Sequence, residues 1–195
     1  MKSDSCNIHS KTQLEMTSSK DSFIILLEYI LKELNISKIY SSESLPFKKN
    51  GPVSTGPEHR FDIVLSGSKH MTFPAKGKIQ DIMLTPGEVH YCPPENWKWP
   101  LWDSFHEMSS ILYGPDYIRL TYINYDQHTE YFKTHGALIF YITSKAVDKT
   151  GQKILSAMSD IVDRKKSINI HHLFIVLLEL TLVYLKTDQQ RLNYQ

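Results

Sequence analysis

The chain has 195 residues, of which 41% are hydrophobic and 11% aromatic, enough for one domain with a substantial core and an appendage. Its 22 Lys and Arg residues against 21 Asp and Glu residues leave almost no net charge, which argues against strong nucleic-acid binding by this chain alone. Cys6 and Cys92 make no disulfide framework, and the longest apolar run, 173–185, is too short for a membrane span. We therefore expect a cytoplasmic protein with no membrane partner.

The sequence divides into four predicted segments. Residues 1–20 are polar without a period, which predicts a flexible arm. Residues 21–145 hold a helix and then a β-rich domain, residues 146–187 hold a helical hairpin, and residues 188–195 form a tail. The first helix begins at Ser19 or Asp21 and ends near Asn35, because apolar residues recur there at helical spacing.

Seven short strands follow a loop at 41–60 that is rich in Ser, Pro and Gly. Between the third and fourth strands, Pro86 and Gly87 predict a type II turn, and between the fourth and fifth an aromatic segment holds all three tryptophans. Many short strands with turn signals favour a sandwich or barrel over a parallel α/β sheet. The predicted strands are 61–65, 70–73, 78–84, 89–92, 106–113, 117–125 and 137–142.

After residue 143 the apolar period changes from two to 3.6, which predicts two C-terminal helices. Asp148 is a suitable cap for the first of them. The second, 169–186, carries two apolar stripes, one of them at the 3,4 spacing of a coiled-coil seam. We predict that this seam is a dimer interface, and the alternative is a helix buried within one subunit. The seam residues are Ile170, Leu173, Leu177, Leu180 and Tyr184.

Several of these segments carry a family resemblance. The matching stretches are RFDIVLSGS (60–68), LTPGEVHYCPP (84–94), the Trp99 to Trp102 spacing and SSILYGPDYIRLTYI (109–123). Together with the closing helices, they resemble the N-terminal sensor domain of AraC-type transcriptional regulators. The resemblance implies a mainly β fold: a cupin-like jelly-roll β-barrel preceded by an N-terminal helix and followed by two C-terminal helices.

The same resemblance implies a small-molecule effector inside the barrel and a homodimer formed through the C-terminal helix. In the family, a further domain with two helix-turn-helix units binds DNA. Only nine residues follow Lys186, so we expect DNA contact only through a separate or missing domain. Whether the chain is a truncated regulator or a natural stand-alone sensor stays open.

The barrel mouth is the predicted ligand site. We expect aromatic residues from the tryptophan segment to lie at the mouth and residues of three strands to line the interior, which favours an apolar or sugar-like effector over an anionic one. For each tryptophan singly, packing of a loop over the barrel end is an equally good interpretation. The predicted ligand-binding residues are Phe61, His90, Trp97, Trp99, Trp102, Phe105 and Tyr113.

The alternative function is a small metal-dependent cupin enzyme, an isomerase or a dioxygenase. Pro86, Gly87, His90 and Asn96 lie near the positions of the second cupin motif. The first motif needs two nearby histidines, but His70 stands alone in its region, and a catalytic metal needs about three protein ligands. We therefore predict no metal, no cofactor and no catalytic residues, and a protein that is not an enzyme.

Overall fold

The computed structural model describes residues 20–44, 56–126, 138–143, 147–164 and 170–192, which form three helices and nine strands. The helices are α1 (Lys20–Lys32), α2 (Lys149–Asp163) and α3 (His171–Leu192). The strands are β1 (Lys38–Ser41), β2 (His59–Gly67), β3 (Lys69–Ala75), β4 (Lys78–Leu84), β5 (Glu88–Cys92), β6 (Trp99–Pro100), β7 (His106–Tyr113), β8 (Ile118–Tyr125) and β9 (Leu138–Thr143).

The order of elements confirms a strand-rich chain with one N-terminal helix and two C-terminal helices. The predicted bounds of β4 and β7 are those observed, and Asp148 caps α2 by accepting from the backbone N–H groups of Thr150 and Gly151. Two strands, β1 and β6, were not predicted, and α3 extends to residue 192 instead of ending at 186. The arm predicted at 1–20 lies outside the described residues apart from the first residue of α1.

The strands form two sheets. A six-stranded sheet has the order β1-β5-β2-β7-β8-β9, and a three-stranded sheet has the order β4-β3-β6. Strands β1 and β5 run parallel, and the other pairs are antiparallel. In the described part of the chain no backbone ladder joins the two sheets, so they form separate layers and no closed barrel is seen.

The large sheet is buried on both faces. Along β2, Phe61 and Ile63 join the main core beneath the helices, because successive side chains of a strand point to opposite faces. Val64 lies on the other face and packs against residues of β3 and β4. The molecule therefore has three layers: the helices, the large sheet and the small sheet. Polar side chains lie between the two sheets.

Helices α1 and α3 cover the outer face of the large sheet. The ring of Phe61 stacks on Phe174 of α3 at 4.9 Å between centroids, and Tyr113 and Thr181 share a hydrogen bond of 2.8 Å between their hydroxyls. Both stripes of α3 face this core at several positions, with Phe174, Leu177 and Leu178 fully buried. Ile170 is buried as well, whereas Leu173, Leu180 and Tyr184 are half-buried.

This placement matters for the predicted dimer seam. Leu177 is fully buried in its own chain, so the alternative of a helix buried within one subunit describes it and Ile170. The large apolar side chains that α3 leaves exposed are Val176 and Val183 within the described residues. Any interface formed by α3 therefore uses these two and the half-buried seam residues.

The Pro86-Gly87 turn packs against the segment that joins α1 to β1. The N–H of Glu88 donates to the carbonyl of Thr85 at 2.9 Å, and Gly87 has φ 83°, as the predicted type II turn requires. The N–H of Ser37 donates to the Gly87 carbonyl at 3.0 Å. A Cβ on Gly87 would lie 2.2 Å from the carbonyl oxygen of Asn35, so the turn and the chain entering β1 touch through backbone alone.

Candidate functional site: a cation-lined cavity between the sheets

A cavity of about 190 Å³ lies between the large and small sheets. Its walls come from β2, β7 and β8 on one side, and from β3, β6 and the segments flanking β6 on the other. The lining residues are Arg60, Asp62, Lys69, Lys98, Pro100, Trp102, Met108, Ser110, Leu112, Arg119, Thr121 and Ile123.

Strand register arranges the large-sheet wall in three rows. Arg60 pairs with Leu112, which pairs with Arg119, so the first row carries two guanidinium groups. The second row is polar, and the third is apolar, because Met108 pairs with Ile123. The wall therefore changes from cationic to apolar along the strands. The members of the second row are Asp62, Ser110 and Thr121.

A buried ion pair occupies the middle row. The ammonium of Lys98 contacts Oδ2 of Asp62, and both side chains are almost wholly inaccessible to solvent. The hydroxyl of Ser110 donates to Oδ1 of the same carboxylate at 2.8 Å. Burial, and then the charge of Arg60, lower the pKa of Lys98 well below its usual value, while the touching carboxylate favours its charged form. Asp62 is thus engaged on both oxygens by groups of the protein itself.

Lys69, on β3, lines the cavity on the side of the small sheet. Its Nζ donates to the carbonyl of Leu101 at 2.7 Å and lies 3.6 Å from the centroid of the Trp102 ring. Burial lowers the pKa of Lys69 to about 7, and the charge of Asp103 opposes this shift. Lys69 therefore gains or loses its proton easily near neutral pH, unlike an arginine, which stays charged.

Two arginines, two lysines and one aspartate line the cavity. Among the described residues, the buried Nε of Arg119 has no hydrogen-bond partner. A buried donor without a partner costs free energy, and an acceptor oxygen placed beside it reduces that cost.

The Trp102 side of the cavity is aromatic. The ring of Trp102 lies 5.2 Å from that of Tyr125 and 5.3 Å from that of His106. Nδ1 of His106 donates to the carbonyl of Ser104 at 2.8 Å, and burial, then the charge of Lys69, lower the pKa of His106 to about 4. His106 is therefore neutral at physiological pH and adds an uncharged ring to the Trp102 cluster.

The structure brings one of the seven predicted ligand residues, Trp102, to the cavity wall. Trp99 pairs with Thr72 in the small sheet, Trp97 is buried, and Phe105 is partly exposed. Phe61 and Tyr113 lie on the opposite face of the large sheet, under α3. The alternation of apolar residues alone did not decide which face of this sheet, covered on both sides, lines the cavity.

His90 lies on the cavity face of β5 but is enclosed by its neighbours. Its ring is 4.4 Å from that of Phe73, and Nε2 lies 3.0 Å from the hydroxyl of Ser42. That hydroxyl donates to the carbonyl of Trp97, so it accepts from His90, which assigns the proton of the ring to Nε2. Burial, and then the charge of Arg60, lower the pKa of His90 to about 3, so the ring is neutral.

The two polar side chains that resembled the second cupin motif both bind Ser42. Nδ2 of Asn96 donates to the backbone carbonyl of Ser42 at 3.1 Å, while His90 binds its hydroxyl. Within the described ranges, no three His, Cys, Asp or Glu side chains are grouped closely enough to hold a metal ion.

Sequence reasoning missed the charged residues of the site. Asp62 interrupts an apolar strand, Arg119 stands inside YIRLTYI, and Lys98 stands between two tryptophans. A charged side chain inside an apolar strand, or between two tryptophans, is the signal that could have marked them. What was missing is the knowledge that these positions, with Arg60 and Lys69, converge on one space.

Comparisons with protein-family models, with curated proteins and with solved structures found no match for this chain. In the part of the chain that the structure describes, the helices are too short or too polar to cross a bilayer.

Proposed function

We propose that this chain is a sensor module that binds a small organic anion between its two sheets. In this proposal it is the ligand-sensing and dimerisation domain of an AraC-type transcription regulator, with a cupin-like jelly-roll core. DNA contact belongs to a separate domain. The observation that supports the proposal is the set of two arginines and two lysines around a single carboxylate that Lys98 and Ser110 already engage.

The cavity groups are suited to binding. Arg60 and Arg119 carry planar guanidinium groups, whose paired N–H donors match a carboxylate or phosphate. Lys69, with its lowered pKa, takes up a proton when an anion comes close, because a negative neighbour favours the ammonium. Burial makes each of these interactions stronger than it would be on the surface.

A sensor must also transmit binding, and the alternation of strands offers a short route. Arg60 lines the cavity, whereas the next residue, Phe61, stacks on Phe174 of α3. Leu112 lines the cavity, whereas Tyr113 bonds to Thr181 of α3. A ligand that shifts β2 or β7 therefore alters the packing of these strands against α3, the helix proposed for dimerisation.

The proposal is tested by calorimetric titration with acetate, 3-phenylpropionate, succinate and inorganic phosphate. We expect at least one of these anions to bind, and Arg60→Gln and Arg119→Gln each to weaken that binding about tenfold or more. Arg164→Gln is the matched control, because Arg164 is exposed on α2 and far from the lining residues in sequence. Equal affinity in all four proteins, or binding of none of the anions, would refute the anion site.

A further inference from the structure

We infer that the ligand is an amphipathic monoanion: one carboxylate on a compact apolar body, lying along the strands of the large sheet. Its carboxylate lies between Arg60 and Arg119, and its apolar body lies against Met108, Ile123 and Trp102. This inference rests on the proposed function and specifies the ligand class of that same cavity.

The direction of the ligand follows from the register. Leu112, between the two arginines, and Met108, in the apolar row, are four residues apart on β7. At about 3.3 Å per residue, the cationic and apolar rows are roughly 13 Å apart along the strand. The intervening row, with Ser110 and Thr121, supplies hydroxyls beside an Asp62 that Lys98 already neutralises. One end of the cavity thus carries the two arginines, and the other carries the apolar row.

The arginine end suits a two-oxygen anion. Arg60 and Arg119 come from strands on either side of β7, so their guanidinium groups approach the same space from opposite sides. The buried Nε of Arg119 has no acceptor among the described residues, and a carboxylate oxygen satisfies such a donor. Two arginines around one carboxylate give a charge-assisted site that a neutral ligand does not use.

The opposite end suits an uncharged body. Met108 and Ile123 are buried, and the Trp102 ring closes that side together with Tyr125. Lys69 lies there too, but its ammonium already donates to Leu101 and faces the Trp102 ring. Because the Lys69 amine is already engaged by the Leu101 carbonyl and the Trp102 ring, an apolar group at this end meets mainly Met108, Ile123 and the indole. The second end therefore offers an apolar surface to the body of the ligand.

The volume limits the size of the body. A cavity of about 150 Å³ lined by apolar side chains holds a benzene molecule. The cavity here is about 190 Å³, which fits one ring, or a short branched chain, plus a carboxylate.

The test compares four probes by isothermal calorimetry and by quenching of tryptophan fluorescence. They are 3-phenylpropionate, its neutral analogue 3-phenylpropanol, succinate and inorganic phosphate. We expect 3-phenylpropionate to bind about 10- to 100-fold more tightly than 3-phenylpropanol, because the alcohol forfeits the charge-assisted bonds. We also expect it to bind more tightly than succinate and phosphate, which have no apolar body.

Two variants separate the ends of the cavity. Arg119→Gln is expected to abolish the preference for the acid over the alcohol while leaving the affinity for the alcohol unchanged. Ile123→Thr is expected to weaken both probes by a similar factor of about three to ten, because it replaces apolar wall with a hydroxyl. Arg164→Gln serves again as the control, and thermal melts establish that each variant is folded.

The outcomes distinguish this inference from the proposal beneath it. If succinate or phosphate binds through Arg60 and Arg119 and 3-phenylpropionate does not, the anion site stands and the amphipathic ligand is refuted. Equal affinity for 3-phenylpropionate and 3-phenylpropanol also refutes it. If neither these three anions nor acetate binds, both the inference and the proposed function fail.

Discussion

Lys69 and His70 are neighbours on β3 whose side chains leave opposite faces of the small sheet and hold the same segment, 101–105. From inside, Lys69 donates to the carbonyl of Leu101. From outside, the imidazole of His70 binds Asp103 through Nδ1 and Asp81 through Nε2, each at 2.5 Å. The segment that carries Trp102 is thus held by Lys69 on one face of the small sheet and by His70 on the other.

The outer contact predicts a pH dependence of stability. Asp103 and then Asp81 raise the pKa of His70 above 6.5, so the folded state binds the imidazolium more tightly than the unfolded state. This contribution is complete below about pH 6.5 and is lost as the pH rises through the raised pKa. Its size is below about 1 kcal/mol, because both carboxylates are more than half exposed.

The measurement is urea unfolding of the natural chain and of His70→Gln at several pH values from 6 to 9. We expect the variant to lose this step in stability, and 1 M NaCl to shrink it in the natural chain. His172→Gln, at an exposed position on α3, is the control. An unchanged pH profile in His70→Gln would show that the imidazole contributes nothing.

Cys92 provides a prediction about reactivity. It is buried, and burial raises the pKa of its thiol to about 11, so very little thiolate exists at pH 8. In a Cys6→Ser variant, Cys92 is then the remaining thiol. We expect Ellman's reagent to react with it slowly, over hours, in native buffer and within minutes in 8 M urea. Rapid reaction of the native protein would mean that β5 opens readily.

The Lys98–Asp62 pair predicts non-additive effects. Lys98→Met leaves a carboxylate buried without its ammonium, at a cost of about 3–5 kcal/mol in the free energy of unfolding. Adding Asp62→Asn removes that stranded charge and recovers a large part of the loss. Urea unfolding of the two single variants and the double variant measures the coupling, with the exposed Lys153→Met as control. Strictly additive effects would mean that the pair does not act as a unit.

At the scale of elements, β2 contributes side chains to both the core and the cavity, because successive residues of a strand point to opposite faces. Its odd-numbered residues from Phe61 to Leu65 belong to the helix-covered core, whereas Arg60 and Asp62 line the cavity. A slip of one residue would exchange these two sets, placing charge under the helices and aromatic rings in the cavity. The buried Asp62–Ser110 bond fixes the register against such a slip.

The Gly87 corner supplies a prediction with a close control. Both Gly87 and Gly77 have positive φ, 83° and 74°, so an alanine at either position is strained by about 1 kcal/mol. At Gly87 the added Cβ also meets the Asn35 carbonyl at 2.2 Å, whereas nothing lies within 4 Å at Gly77. We expect Gly87→Ala to cost about 2–4 kcal/mol and Gly77→Ala about 1, as measured by urea unfolding. Equal losses would mean that the segment between α1 and β1 does not pack tightly against this turn.

For the whole molecule, the open question is how the helices take part in assembly. Leu177 is fully buried within its own chain, whereas Val183 is 60% exposed on the same helix. Leu177→Glu buries a charge and is expected to prevent folding at ambient temperature. Val183→Glu is expected to leave the fold intact and, if α3 is the interface of the proposed dimer, to give a monomer.

Circular dichroism separates the two expectations about folding, and light scattering after gel filtration measures the oligomeric state. A folded Leu177→Glu variant would show that α3 does not pack on the large sheet as described. A folded Val183→Glu variant that remains a dimer would exclude the exposed face of α3 as the interface.

Local signals determined the elements of this protein. Alternating apolar residues, the Pro86-Gly87 turn and the Asp148 cap each act over a few residues, and the corresponding strands, turn and helix are present. The sequence did not predict β1, because four residues without flanking turn signals show too little alternation of apolar residues. This strand forms by pairing with β5. Such a strand is stabilised by a partner some 50 positions away.

Only the tertiary structure decided where the charges meet. Arg60, Lys69, Lys98 and Arg119 are far apart in the sequence, and each taken alone is compatible with an exposed position. The large sheet is covered on both faces, and polar residues that alternate with apolar ones along a strand look the same in sequence whether they face solvent or a cavity. The sequence therefore determined strands, turns and helices, while the stacking of two sheets decided that these charged side chains line one space between them.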